Sequence, residues 1–377
     1  MKPSANFSTF KNAMPFWSSL LLVPIIVFST VMGGLWLALP PLCTWTLFAV
    51  LDGIFGKDEE NPASDAPDDE LYYYRLITLI WFPVQLVLLI WMLAYVPDAT
   101  HLSVFGKFMT FFSMGIVSGT IGINYSHELM HQTNRLERWL ADLLLASVLY
   151  GHFRSEHLLV HHRYVGTPRD AVTARYNEGF HHFFVRVIPE SFTSALSAEK
   201  AMLERKGLPA THRSNPFWRY AALQCAFFFL ALWIGGFFGL VLFVFQSLTA
   251  IWQLELIDYV EHYGLTREHL GDGKYEHVKP RHSWNAPFRV SNWLLINLQR
   301  HSDHHYKPNR RFPLLQSYDI GEAPQLPQGY PVMSVLAMVP PLWRRVMNPR
   351  VRAWRREHYP HIEDWNAYKT ASNPLPR

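Results

Sequence analysis

Cysteine is nearly absent from this chain. There are two in 377 residues, Cys43 and Cys225, each inside an apolar block. Two thiols cannot build a disulfide framework or the four-thiolate site of an iron carrier. If the chemistry needs electrons, they are expected from another protein, separate or fused. Charge is scarce as well, at 17% of residues against roughly 25% in an ordinary soluble domain. From Asn12 to Leu51 there are 40 residues with no charge and no histidine. The net charge of +4 is too small to point to a nucleic-acid partner. The chain does not open on a charged, apolar and small-residue pattern ending in a cleavage site, so the first apolar block reads as retained.

What the chain has instead is long apolar runs. As one helix, Asn12–Leu51 would be about 60 Å long, twice the hydrocarbon core of a bilayer. It must fold as two spans, about 14–32 and 35–55, with Gly33-Gly34 at the turn. A third span covers 76–97. A fourth covers 108–127 and ends at His127. Tyr220–Leu254 is again too long for one crossing, and Gly235-Gly236 divides it into spans of about 217–234 and 237–257. The expected fold is all-α: an integral membrane protein of six transmembrane helices with a cytoplasmic helical cap, one domain over residues 1–377. Of the 34 lysines and arginines, 29 lie beyond His127. The positive-inside tendency then puts both termini and the segments 127–216 and 258–377 in the cytoplasm, the protein being multi-pass in the inner membrane. The acidic, proline-containing stretch from Lys57 to Glu70 reads as a solvated linker.

Histidine is the residue the soluble part is rich in. Sixteen of 19 lie between positions 127 and 305. They form three groups: His127-Glu-Leu-Met-His131, Glu156-His157-Leu-Leu-Val-His161-His162, and His301-Ser-Asp-His304-His305. Each begins with a three- or four-residue step, which on a helix stacks two imidazoles on one face, close enough to share an ion. Neighbours such as His161 and His162 diverge by about 100° and are placed to serve two ions. His262 follows the sixth span as His127 follows the fourth, and joins the set. That many neutral nitrogens suit iron, zinc, copper or nickel rather than magnesium or calcium. Glu128, Glu156, Glu261 and Asp303 sit one or two residues from these histidines and are candidate outer-shell acids.

Two other chemistries share part of this pattern. His127-Glu-Leu-Met-His131 matches the zinc-protease pattern H-E-x-x-H, and Leu51-Asp52-Gly53 looks like the third-ligand motif of intramembrane proteases. Here, however, the aspartate precedes the histidines instead of following them, and the other histidines are left without a role. An ion transporter should carry polar groups within its spans, and the apolar stretches 12–51, 76–97, 108–126 and 220–254 have no charge or histidine.

Three histidine boxes among membrane spans resemble the membrane di-iron superfamily of desaturases, hydroxylases and monooxygenases. Leu298-Gln-Arg-His-Ser-Asp-His-His305, Glu261 to Gly264, and Tyr275-Glu-His-Val-Lys-Pro-Arg-His-Ser-Trp-Asn285 are similar to the membrane alkane monooxygenases (the AlkB type). One departure is Asp258, where that family usually shows Asn. The resemblance implies hydroxylation of a terminal alkane C–H by O2 at two iron ions. It implies nine ligands: His127, His131, His157, His161, His162, His262, His301, His304 and His305. It also implies electrons from rubredoxin, itself reduced by a rubredoxin reductase. A basic face drawn from Arg300, Lys307, Arg310, Arg311, Arg344 and Arg345 is the expected docking surface. The alkane, dissolved in membrane lipid, is expected to meet a channel lined by the first four spans, with Trp45, Phe48, Leu76, Leu79, Trp81, Phe112 and Ile116 as candidates. A xylene-type hydroxylase and a fatty-acyl desaturase are the alternatives within the superfamily.

Overall fold

The structure is a computed structural model and describes residues 9–365 and 368. The protein is built of helices, with one short hairpin, β1 (His269–Gly271) and β2 (Lys274–Tyr275), outside them. Among the described residues, five helices are long and apolar enough to cross a membrane: α1 (Phe10–Met32), α2 (Gly34–Phe55), α3 (Tyr72–Tyr95), α4 (Val104–Met130) and the 47-residue Pro216–His262. The turn between α1 and α2 falls at Gly33 and Gly34, whose φ angles of 65° and 57° suit a residue without a Cβ. Between α4 and the long helix come α5 (Arg135–Ala146), α6 (residues 153–164) and α7 (Phe180–Glu204), which makes Pro216–His262 α8. Helix α8 is not continuous, since Gly236 sits at φ 61°, ψ −165°. Then follow α9 (Arg289–Leu294), α10 (His301–Tyr306), α11 (Tyr330–Ala337) and α12 (Pro340–His358).

Local chemistry explains where these helices begin. Ser103, Asn134 and Asn215 each accept a backbone N–H from the first turn of α4, α5 and α8, relieving donors that a helix leaves unpaired. Pro216 takes the first position of α8, where its missing N–H costs nothing. Asp52 finds its role here as well. Buried at the end of α2, its Oδ1 accepts the N–H groups of Val290 and Ser291 at 2.9 Å. It anchors the start of α9 and does not face the histidines as a protease motif would.

Helices α4 and α8 are the scaffold of the site, and small residues let them touch. A Cβ on Gly115 would meet the Gln246 carbonyl at 2.7 Å, and one on Gly119 the Ala250 carbonyl at 2.7 Å. This is the close crossing that small residues four apart permit in lipid. The 57–70 stretch is not merely solvated. Asp68 holds Arg311 at 2.8 Å, Asn61 pairs with Ser317, and Lys57 bridges to Phe288. The segment straps the membrane part to the histidine-bearing part, a tertiary pairing that composition does not reveal.

Candidate metal centre

The nine histidines come together from four elements: the end of α4, the helix α6, the end of α8, and α10. Their ligand-capable atoms fall into two groups. His127, His131, His157, His162 and His304 form one, and His161, His262, His301 and His305 the other, with all such atoms in a group within 4.8 Å. In the first, Nε2 of His157 lies 3.0 Å from that of His131 and 2.9 Å from that of His162, which is 3.0 Å from that of His304. In the second, Nε2 of His301 lies 3.1 Å from His262 and 3.0 Å from His305, and His161 is 3.2 Å from His305. Two nitrogens at about 2.1 Å from one ion and at right angles to each other lie about 3 Å apart. A neutral imidazole has one N–H to donate, so a closed triangle of Nε2 atoms such as His131–His157–His162 cannot make all three contacts hydrogen bonds.

The pairing differs from that expected of a regular α-helix. The four-residue step at His157 should have paired His157 with His161. Instead His157 shares a group with His162, and His161 turns to the other group. The reason is local: residues His157–His161 form a π turn, whose wider winding brings i and i+5 together. In α10, by contrast, the regular four-residue step holds, and His301 groups with His305 and not with His304. Adjacent neighbours do serve different groups, His161 against His162 and His304 against His305. A second π turn, Ser118–Ile123, lies just before His127.

Burial sets the protonation. Burial first, and then crowding by neighbouring rings, holds His157, His162, His301, His304 and His305 well below the ordinary imidazole range. Burial lowers His131 to about 3, with His161 adding to it. Neutral rings are the form that gives a lone pair to a metal. Glu156 is fully buried and neither of its oxygens has a partner. Burial, with Asp170 and Glu255 beyond it, pushes its carboxyl well up. An orphaned buried carboxylate beside converging imidazole nitrogens fits a cation nearby.

The four sequence-selected acids divide. Glu261 Oε2 lies 3.2 Å from Nε2 of His301. Glu156 is buried beside His157. Glu128 accepts from Gln132 at 3.1 Å, and Asp303 is held by Arg310, Tyr318 and Gln316. One acid was missed: Asp170 takes Nδ1 of His161 at 2.9 Å. Its only sequence signal is an acid eight residues beyond the His161-His162 pair. Three of the six residues of the expected basic face are consumed by the protein itself. Arg300 is 4% exposed and bonds the carbonyls of Leu315, Asp58 and Glu60. Arg310 grips Asp303, and Arg311 grips Asp68 and Glu137.

A narrow apolar pocket of about 40 Å³ opens on both histidine groups. His127, His157 and His301 share its wall with Gly119, Phe153, Ile257 and Leu298. It lies between α4, α8 and residues 295–301; the fourth span lines it through Gly119, Thr120 and Asn124, whereas Trp45, Phe48, Leu76, Leu79, Trp81, Phe112 and Ile116 do not. Trp45 stands one layer behind, its Nε1 on Oε1 of the lining residue Gln253.

This arrangement of histidine boxes and apolar spans defines a class, the membrane desaturases and hydroxylases. Residues 103–337 match the fatty acid desaturase family model. The chain is 44% identical to alkane 1-monooxygenase 2 of Pseudomonas aeruginosa over 82% of both chains. It is 39% identical to alkane 1-monooxygenase 2 of Alcanivorax borkumensis over 90% of both. The hydroxylase component of the xylene/toluene monooxygenase of Pseudomonas putida is 30% identical over 65% of both. The chain belongs to the alkane 1-monooxygenase family of membrane di-iron enzymes.

Proposed function

We propose that this protein hydroxylates the terminal methyl of medium- to long-chain alkanes. Alkane, O2, two electrons and two protons give 1-alkanol and water. The observation that carries the reading is the convergence of nine histidines into two groups around one apolar pocket. Two iron ions would be held by His127, His131, His157, His162 and His304, and by His161, His262, His301 and His305; when bound they supply the oxygen activation. The protein's own part is orientation and exclusion. Asp170 fixes the tautomer and direction of His161, as a carboxylate behind a ligating imidazole does. The pocket walls keep water from the reacting carbon and admit a thin chain end-on. Glu156 and Glu261 offset the charge that neutral ligands leave.

The break at Gly236 supports a reading of α8 as two crossings, hence six spans in a single domain. With an even number of spans, both termini and the histidines lie on the cytoplasmic side of the inner membrane. Electrons come from rubredoxin, itself served by its reductase. Purified protein should carry close to two irons, and octane or dodecane with O2 and reduced rubredoxin should yield the 1-alkanol. One zinc per chain, or no alkanol at any chain length, would sink the proposal. A product from xylene alone would move the enzyme to the methyl-aromatic branch.

A further inference from the structure

A second cavity, far more open than the pocket, lies against the back of the histidine-bearing turn. This cleft has a volume of about 570 Å³. One wall is Leu159 and Val160 of α6, and the other is a face of α7 around Ser197 and Met202. Four guanidinium groups rim it: Arg163, Arg169, Arg175 and Arg205. The one carboxylate among its lining residues, Glu190, is already held by Arg186 at 2.9 Å. Among the described residues, none of the four rim arginines is in an ion pair. Arg163 lies over the ring of Tyr164, and Arg169 lies between Tyr164 and Tyr275. Cation–ring contacts of this kind orient a guanidinium without neutralising it. The cleft therefore presents uncompensated positive charge above an apolar floor.

Its position gives that charge a use. The α6 wall is the segment that carries His157, His161 and His162, and these three serve both groups. Arg163 directly follows His162. Arg169 directly precedes Asp170, which holds His161. A partner seated in the cleft is thus one layer of protein from both groups. We propose that this cleft is the docking seat of the electron donor, a small protein with an acidic face. The inference rests on the monooxygenase reading above and moves the donor away from the Arg300, Arg310 and Arg311 face, whose charges are spent internally. Complementary charge raises the encounter rate, fixes the register, and is screened by salt.

The test uses the full-length, iron-loaded protein in nanodiscs with reduced rubredoxin. Arg163→Glu with Arg205→Glu should raise the KM for rubredoxin about tenfold at low salt, equivalent to about 1.4 kcal/mol, with kcat little changed. The wild-type KM should rise with salt, and the variant's should not. Arg350→Glu with Arg356→Glu, on the exposed outer face of α12, should behave as wild type. Arg175→Glu alone should give a smaller rise and guards against a folding defect in the double variant. Reduced methyl viologen bypasses docking and should drive alkanol formation equally in all of them; no alkanol from the wild type there would indict the monooxygenase reading and not the seat. The proposal is overturned if the Arg163/Arg205 variant keeps its rubredoxin KM within twofold. It is also overturned if the α12 variant loses as much, or if viologen-driven turnover falls in parallel. An altered dependence on anionic lipid with an unchanged rubredoxin KM would make the cleft a headgroup site and end the proposal.

Discussion

At the level of single side chains, the decisive contrast is between histidines that converge and histidines that do not. His181 and His182 lie in an adjacent pair much like His161-His162. Yet His181 reaches the Met338 carbonyl, and His182, largely exposed, reaches Glu178. Alanine at either should leave activity and iron unchanged. Asp170→Asn should weaken iron binding by roughly 10- to 100-fold, the usual effect of losing an orienting carboxylate. Metal competition with a calibrated chelator would read this, and unchanged affinity would mean that packing alone positions His161. A different buried histidine answers to pH. His282 bonds Tyr359 at 2.9 Å and Glu276 at 3.3 Å, and Tyr359 also bonds Glu276. Burial lowers His282 to about 4, against the pull of Glu276. Burial alone would push the Glu276 carboxyl up, but hydrogen bonds from His282, Lys279 and Tyr359 hold it well below the carboxylate range. Both folded values lie below the unfolded ones. The stability they contribute is therefore complete above about pH 6.5 and declines as pH falls toward 4. Thermal melts of the iron-loaded protein should show this decline, and His282→Gln should flatten it between pH 6.5 and 4. An equally steep profile in the variant would remove His282 from the acid response.

Among the helices, the contact of α4 with α8 bears the greatest consequence, because it sets the spacing between His127 and His262. Gly119→Leu would drive side-chain atoms into the Ala250 carbonyl and Gln253. Overpacking of this kind costs about 1–3 kcal/mol. Here it would also part the two helices, so iron content should fall to one or none even where the protein still folds. Full iron in Gly119→Leu would show that the crossing has slack. The long apolar helices were legible in sequence because lipid imposes a minimum apolar length, and the Gly33-Gly34 turn because its backbone favours glycine. The partition of ligands was not legible. A histidine pattern states residue steps, whereas the grouping depends on winding, and nothing in His157–His161 announces a π turn. Nor did sequence reveal which arginines are free. Arg300 and Arg311 lie beside the histidine box in sequence, but tertiary contacts with residues 58–68 bury them.

In the whole molecule, the histidine-bearing segments are distant in sequence and meet only because α4 and α8 cross beneath them and the 57–70 strap ties α10's neighbours down. Helices α6 and α10 each give rings to both groups: His157 and His162 against His161, His304 against His301 and His305. Ordering one group therefore orders most of the other before any ligand reaches it. That is thermodynamic coupling through shared conformational entropy, and it is reciprocal. Iron titrated into the metal-free protein should load sigmoidally, with few molecules holding a single ion at half saturation. Native mass spectrometry would count them, and a statistical spread of none, one and two would show independent sites. A cell short of iron would then hold a mixture of empty and complete enzymes, and scarcely any half-built ones.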